Sequence, residues 1–169
     1  PFPELQGVAR VQKSRIIRGR VLYVSETHLY LARGARLFVS SDGGKNFRLW
    51  ATLPVGFWRR IAMSLPLLAR LFRLGVHHLV FSGHRGVVVA NKETYLIEKD
   101  FVVHLGTLHG SRPMALCAAK GGVYYGEYRS NPERSAVHVY AVDFTGCSWR
   151  AVWRFENVRH VHGVYFDPY

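Results

Sequence analysis

The sequence predicts an all-β fold, a β-propeller of about three four-stranded blades plus the start of a fourth, with one helical insertion. Three observations lead there. Short apolar runs are bounded throughout by Gly, Asn, Asp and Ser, the pattern of strands and tight turns. Four such runs recur about every 40–50 residues, a period that suits propeller blades better than a sandwich. One stretch, 57–74, breaks the pattern with apolar spacing at about 100° per residue.

The first blade, about 20–53, has strands expected at 21–24, 29–32, 37–39 and 47–53, with Gly34 and Asp42-Gly43-Gly44 as turns. In the insertion at 57–74, Phe57, Trp58, Ile61, Ala62, Leu65, Leu68, Ala69 and Phe72 share one helical face. Arg59, Arg70 and Arg73 lie opposite part of that face. Pro66 should kink the segment or start a second helix. Such a basic amphipathic stretch fits a membrane surface or a docking partner, or else packs its apolar face on the sheets or on another subunit. The second blade, about 76–108, has strands expected at 78–82, 87–90, 95–97 and 101–108. The third, about 113–155, has them at 114–118, 123–128, 136–142 and 149–155. The start of a fourth blade is expected at 158–169, with 160–166 as its innermost strand. Three blades do not close a ring, so the expectation is the missing remainder of a larger propeller or a homo-oligomer, with 8–17 as an outer closing strand.

Composition narrows the function classes. Hydrophobic residues make up 49% of the 169 residues, enough for a real core, and no apolar run is long enough for a membrane-spanning helix. Lys and Arg total 23 against 11 Asp and Glu, a net charge of +12 that favours polyanionic partners. There is no specific nucleic-acid signature: basic residues form no long block, and no RNA-binding aromatic motif or zinc-finger spacing occurs. Two cysteines cannot build a disulfide framework; Cys117 reads as a small core hydrophobe and Cys147 as a turn residue. No nucleotide-binding or serine-hydrolase motif is present, and no cofactor is expected. The given chain shows no signal peptide, and its compartment is left open between secreted or periplasmic and cytoplasmic.

The most specific motif is Ser40-Ser41-Asp42-Gly43-Gly44-Lys45-Asn46-Phe47. A carboxylate at Asp42 is suited to accept backbone N–H groups within a turn, and Gly43 and Gly44 allow positive φ. Phe47 can anchor the turn on the apolar layer. This stretch resembles the Asp-box of bacterial neuraminidase repeats, with Asn46 and Phe47 in place of the usual Thr and Trp. The resemblance implies a structural role for Ser40, Asp42, Gly44 and Phe47. Gly146-Cys147-Ser148-Trp149 keeps the second half of the box, but Phe144 stands where the Asp belongs. Together with 124–134 and 159–169, these motifs are similar to those of largely uncharacterised microbial sialidase-like propeller proteins. That resemblance implies a propeller without supplying an activity.

Candidate site residues cluster late in the chain. A strand would place Tyr125, Glu127 and Arg129 on one face. A Tyr–Glu pair beside arginines resembles sialidase chemistry, where a tyrosine replaces the second carboxylate, and Arg15-Ile16-Ile17 is faintly similar to the motif near the start of those enzymes. Tyr125 and Glu127 are therefore the catalytic candidates if the protein is an enzyme. Arg129, Arg134, Arg159, His160 and His162 are the ligand-binding candidates, lining a polar channel mouth. His160 and His162 share a face, but no third ligand stands at a telling spacing, so no metal site is expected. His77 and His78 would point to opposite faces. The favoured function is a binding or scaffold module for an anionic glycan or a protein ligand. The alternatives are a sialidase-like glycoside hydrolase and a peripheral propeller held on a membrane surface through 57–74.

Overall fold

The computed structural model describes residues 17–99, 101–111, 113–167 and 169. The fold is all-β. A first sheet holds β1 (Arg20–Val24), β2 (Leu29–Arg33), β3 (Arg36–Ser40) and β4 (Arg48–Thr52). Two helices follow, α1 (Phe57–Ser64) and α2 (Pro66–Leu71). A second sheet holds β5 (Val76–Ser82), β6 (Arg85–Ala90), β7 (Glu93–Glu98) and β8 (Phe101–Thr107). A third holds β9 (Leu116–Ala119), β10 (Gly122–Gly126), β11 (Val137–Asp143) and β12 (Ser148–Phe155). Each sheet is an antiparallel meander whose strands lie in sequence order. No sheet among the described residues closes on itself.

The strands fall where the turn residues and apolar runs place them, and Pro66 breaks the helix as expected, with two differences later in the chain. Pro66 starts a second helix because Leu65, at φ −95° and ψ 111°, is extended, as a residue before proline should be. β10 ends at Gly126, and Tyr128 instead forms a parallel bridge with Gly110. The expected strand at 160–166 is absent: the segment has no regular secondary structure and makes one backbone bond to the residue that follows β10, Val161 N–H to Glu127 O at 3.0 Å. A single bond is not a ladder, and no described strand flanks the segment. Of the expected outer strand at 8–17, all but Ile17 lies outside the described residues, as do Arg15 and Ile16.

The sheets stack through their first strands, β1 beside β5 and β5 beside β9, and β8 also approaches β12. Between the first two sheets sits an aromatic cluster. Tyr30 lies 4.9 Å from both Trp50 and Phe81, and Tyr23 lies 5.0 Å from Phe81, centroid to centroid. Such pairs add about 0.5–1.5 kcal/mol each beyond their area burial. The indole of Trp50 lies against Gly86, where a Cβ would come within 2.9 Å of it. Between the second and third sheets, Val87, Leu96, Leu105, Val123 and Val142 form the core, with Trp149 packed against it. Trp149 Nε1 donates to Thr94 Oγ1 at 2.9 Å, and that hydroxyl donates to Gly106 O at 2.6 Å. Thr94 is completely buried, so this relay satisfies polar groups that water cannot reach.

The β3–β4 turn is built around Asp42. Its carboxylate accepts the N–H groups of Lys45 (3.0 Å) and Asn46 (2.9 Å), the Asn46 side-chain amide (2.8 Å) and the Ser40 hydroxyl (2.7 Å). Gly44 N–H donates to Ser40 Oγ at 2.9 Å, and Gly43 and Gly44 sit at φ +70° and +85°. The Phe47 ring lies beside Gly44. In the β11–β12 turn Phe144 does not leave the position empty. Asp143, one residue earlier, accepts the N–H groups of Gly146 (3.0 Å) and Thr145 (2.9 Å). Both carboxyls are held below the ordinary range, Asp42 at about 2 chiefly by the Asn46 N–H and then by Ser40, Asp143 by the Gly146 and Thr145 N–H groups.

Two predictions follow from this packing. Because Asp42 is more acidic folded than unfolded, its stabilisation is fully present above the unfolded pKa near 4 and is lost as pH falls through about 2. Asp42→Asn should therefore unfold more readily at neutral pH and show a shallower loss of stability between those two values in acid denaturation monitored by circular dichroism. Thr94→Val should cost about 1–3 kcal/mol in denaturant unfolding by stranding the Trp149 N–H. Thr94→Ser, which keeps the hydroxyl, should recover most of it.

Candidate functional site

The candidate site lies where the chain leaves β10. The β10–β11 pairing runs one step past Gly126, since Glu127 N–H donates to His138 O at 2.8 Å. That step turns the Glu127 side chain inward, leaving the residue 7% exposed. A buried carboxylate needs partners, and three are supplied. Arg129 Nε donates to Oε1 at 2.7 Å, His138 N–H donates to Oε2 at 3.1 Å, and His138 Nδ1 lies 3.3 Å from Oε2. Arg129 NH2 in turn donates to Ser135 Oγ (2.9 Å) and Ala136 O (3.2 Å), so the guanidinium is fixed across the mouth of the 129–135 loop.

Asn131 organises that loop from inside. Its Oδ1 accepts the Ser135 N–H (3.1 Å) and hydroxyl (2.8 Å), and its Nδ2 donates to Ser135 O (2.7 Å) and Val158 O (3.1 Å). The last bond ties 157–163 to the loop, and Val161 packs so closely on Gly126 that any Cβ there would overlap it. The result is a cleft of about 370 Å³ lined by Tyr128, Arg129, Ser130, Asn131, Pro132, Arg159 and His160. Arg159 is exposed at the cleft, and the Tyr128 and His160 rings lie 4.6 Å apart. His160 Nε2 lies 3.0 Å from His162 Nε2, a spacing at which one nitrogen donates and the other accepts. His162 Nδ1 lies 3.3 Å from Met114 Sδ. Among the described residues no group of three or more His, Cys, Asp or Glu is placed to hold a metal ion.

The structure thus brings Arg129, Arg159 and His160 to one cleft, with His162 beside it. Arg134 does not line it; that residue is exposed in the loop at φ +52°, its N–H bonded to Asn131 O at 3.2 Å. Tyr125 is fully buried. Its ring stacks on Tyr140 at 5.2 Å and meets Trp149 edge-on at 4.7 Å, and Tyr140 stacks on His109 at 4.5 Å. The His109 N–H donates to the Tyr125 hydroxyl at 3.0 Å, and burial pushes the phenol pKa well above its ordinary value. A phenol so placed does not ionise near neutral pH, and Glu127 is engaged by Arg129 and His138. Neither His77 nor His78 joins the cleft: Arg20 meets the first, and the second lies 3.1 Å from Pro113 O.

Asn131 and His138 were not evident as site residues from spacing. The Asn131-Pro132 pair is a turn signal that marks the loop, but a buried Asn is distinguished from an exposed one only by its neighbours. Removing the Glu127 charge tests the scaffold. Glu127→Gln should lower stability by about 1–3 kcal/mol, a range discounted because the Arg129 side chain is one-third exposed. It should also broaden the amide signals of the 129–135 loop in NMR spectra.

No protein-family model matches the sequence, and no curated protein is significantly similar to it.

Proposed function

We propose that the chain supplies three blades of an Asp-box β-propeller and serves as a binding module for an acidic glycan. The meander order of each sheet, the succession of β1, β5 and β9 side by side, and the carboxylate-centred β3–β4 turn support the propeller reading. Further blades, in the same chain or in a second copy, would complete the ring. The observation that carries the binding reading is the cleft in which Arg129, Arg159 and His160 meet beside the Tyr128 ring. Guanidinium groups recognise a carboxylate or sulfate through paired N–H donors, and an aromatic ring offers a face to the apolar side of a sugar. Arg129 is already oriented by Glu127, so its remaining donors need little ordering on binding.

The buried Tyr125 hydroxyl and the engaged Glu127 favour binding over glycoside hydrolysis, because neither is offered to the cleft as nucleophile or acid. Calorimetry with sialyllactose and with lactose tests the reading. The acidic sugar should bind and the neutral one should not, with no free sialic acid released. Arg159→Ala should weaken binding about tenfold or more. Equal affinity for the two sugars, or binding indifferent to Arg159, would sink it.

A further inference from the structure

The helical insertion is turned inside out relative to an ordinary surface helix. In α1 only Met63 is buried, while Phe57, Trp58 and Ile61, on the opposite side, face solvent. In α2 no residue is buried; Leu68 and Ala69 are half-covered, and Leu67 and Leu71, one turn apart, point outward with Phe72. Trp58 is 80% exposed and Leu67 77%. Most of the apolar surface therefore does not pack on the sheets: seven large apolar side chains of the insertion, Leu65 among them, are exposed, with the Phe57 and Trp58 rings 5.4 Å apart.

Along the sequence that carries these side chains the charge has one sign. No Asp or Glu occurs anywhere from Gly43 to Lys92. Three clefts at the foot of the helices are lined by arginines and by no acidic residue. The largest, about 730 Å³, holds Arg18, Arg33 and Arg70; a second holds Arg33, Arg36 and Arg60; a third holds Arg70 and Arg73. A second copy of the chain would be a poor occupant, since a two-fold contact sets each arginine collar against its duplicate.

We propose that α1 and α2 dock the protein on an anionic bilayer. The outward Phe57, Trp58, Leu67, Leu71 and Phe72 enter the boundary between headgroups and acyl chains, and the arginine collar takes the lipid phosphates and carboxylates. An apolar wedge ringed by cations matches the two layers of such a surface in order. The absence of a helix long and apolar enough to cross a membrane among the described residues fits lying on the surface. This docking is independent of the glycan cleft, so Arg159→Ala should leave it unchanged.

Co-sedimentation with phosphatidylcholine vesicles, with and without phosphatidylserine, tests the proposal. The full chain should partition onto the serine-containing vesicles and bind the others much less. Arg60→Gln with Arg70→Gln should reduce partitioning roughly thirtyfold. Trp58→Ser with Leu67→Ser and Leu71→Ser should abolish it at any salt concentration. These side chains are exposed, so each variant should keep the parent melting temperature. Tryptophan emission should shift to the blue on vesicle addition, and Trp58→Phe should lose most of that shift while still binding. The proposal is overturned if the chain stays in the supernatant with serine-containing vesicles. Binding of the apolar triple variant at full strength, or a lipid-free dimer that this variant dissolves while vesicles stay unbound, would overturn it equally.

Discussion

The molecule depends on large aromatic side chains from the last strand of one sheet being received by the neighbouring sheet. Trp50 from β4 lies over Gly86 of β6, and Trp149 from β12 reaches Thr94 of β7. Each four-stranded meander leaves apolar side chains that only a neighbouring sheet covers. What makes three of them one body is that each indole finds a matching recess. In one case the recess is a missing Cβ; in the other it is a hydroxyl that both accepts the indole N–H and donates to Gly106. Apolar area alone would let the sheets slide over one another. The hydrogen bond and the steric fit set their register.

The same logic reaches the cleft. Burial of Glu127 would be costly without partners, so its carboxylate draws in Arg129 and His138 and thereby sets the 129–135 loop. Asn131 then carries the constraint to Val158. The order of Arg129 at the cleft is thus inherited from the third sheet. The other arginine, Arg159, sits on the segment that Asn131 and Gly126 hold in place. Side chains on a loop are held in one direction only where a rigid scaffold aims them, and here the scaffold is a short chain of polar contacts leading back to β10.

The helical insertion follows the opposite rule. Its two short helices contribute Met63 to the core and little else, leaving their apolar residues outward. Such a face has a solvation cost and contributes no packing within the fold. Its basic surroundings, unrelieved by any carboxylate over the neighbouring sequence, give it a chemical character distinct from that of the cleft beside the third sheet.

Local pattern in the sequence was enough for the strand groups, the helix break at Pro66 and the Asp42 turn, because each rests on interactions within a few residues. Turn chemistry, the period-two alternation and the backbone preference before proline are all short-range. Three matters were beyond it. The segment 160–166 has the alternation of a strand, yet a strand exists only where a neighbour offers its ladder, and among the described residues only Glu127 O does. Tyr125 and Glu127 share the right spacing for a reactive pair, but stacking on Tyr140 and pairing with Arg129 engage them internally. The apolar face of 57–74 has the period of a core helix, and only the packing of Met63 decides that this face points away. The physical reason is common to all three. Sequence sets what a segment can present to its surroundings; which side chains and backbone groups meet it is a property of contacts between residues far apart in the chain.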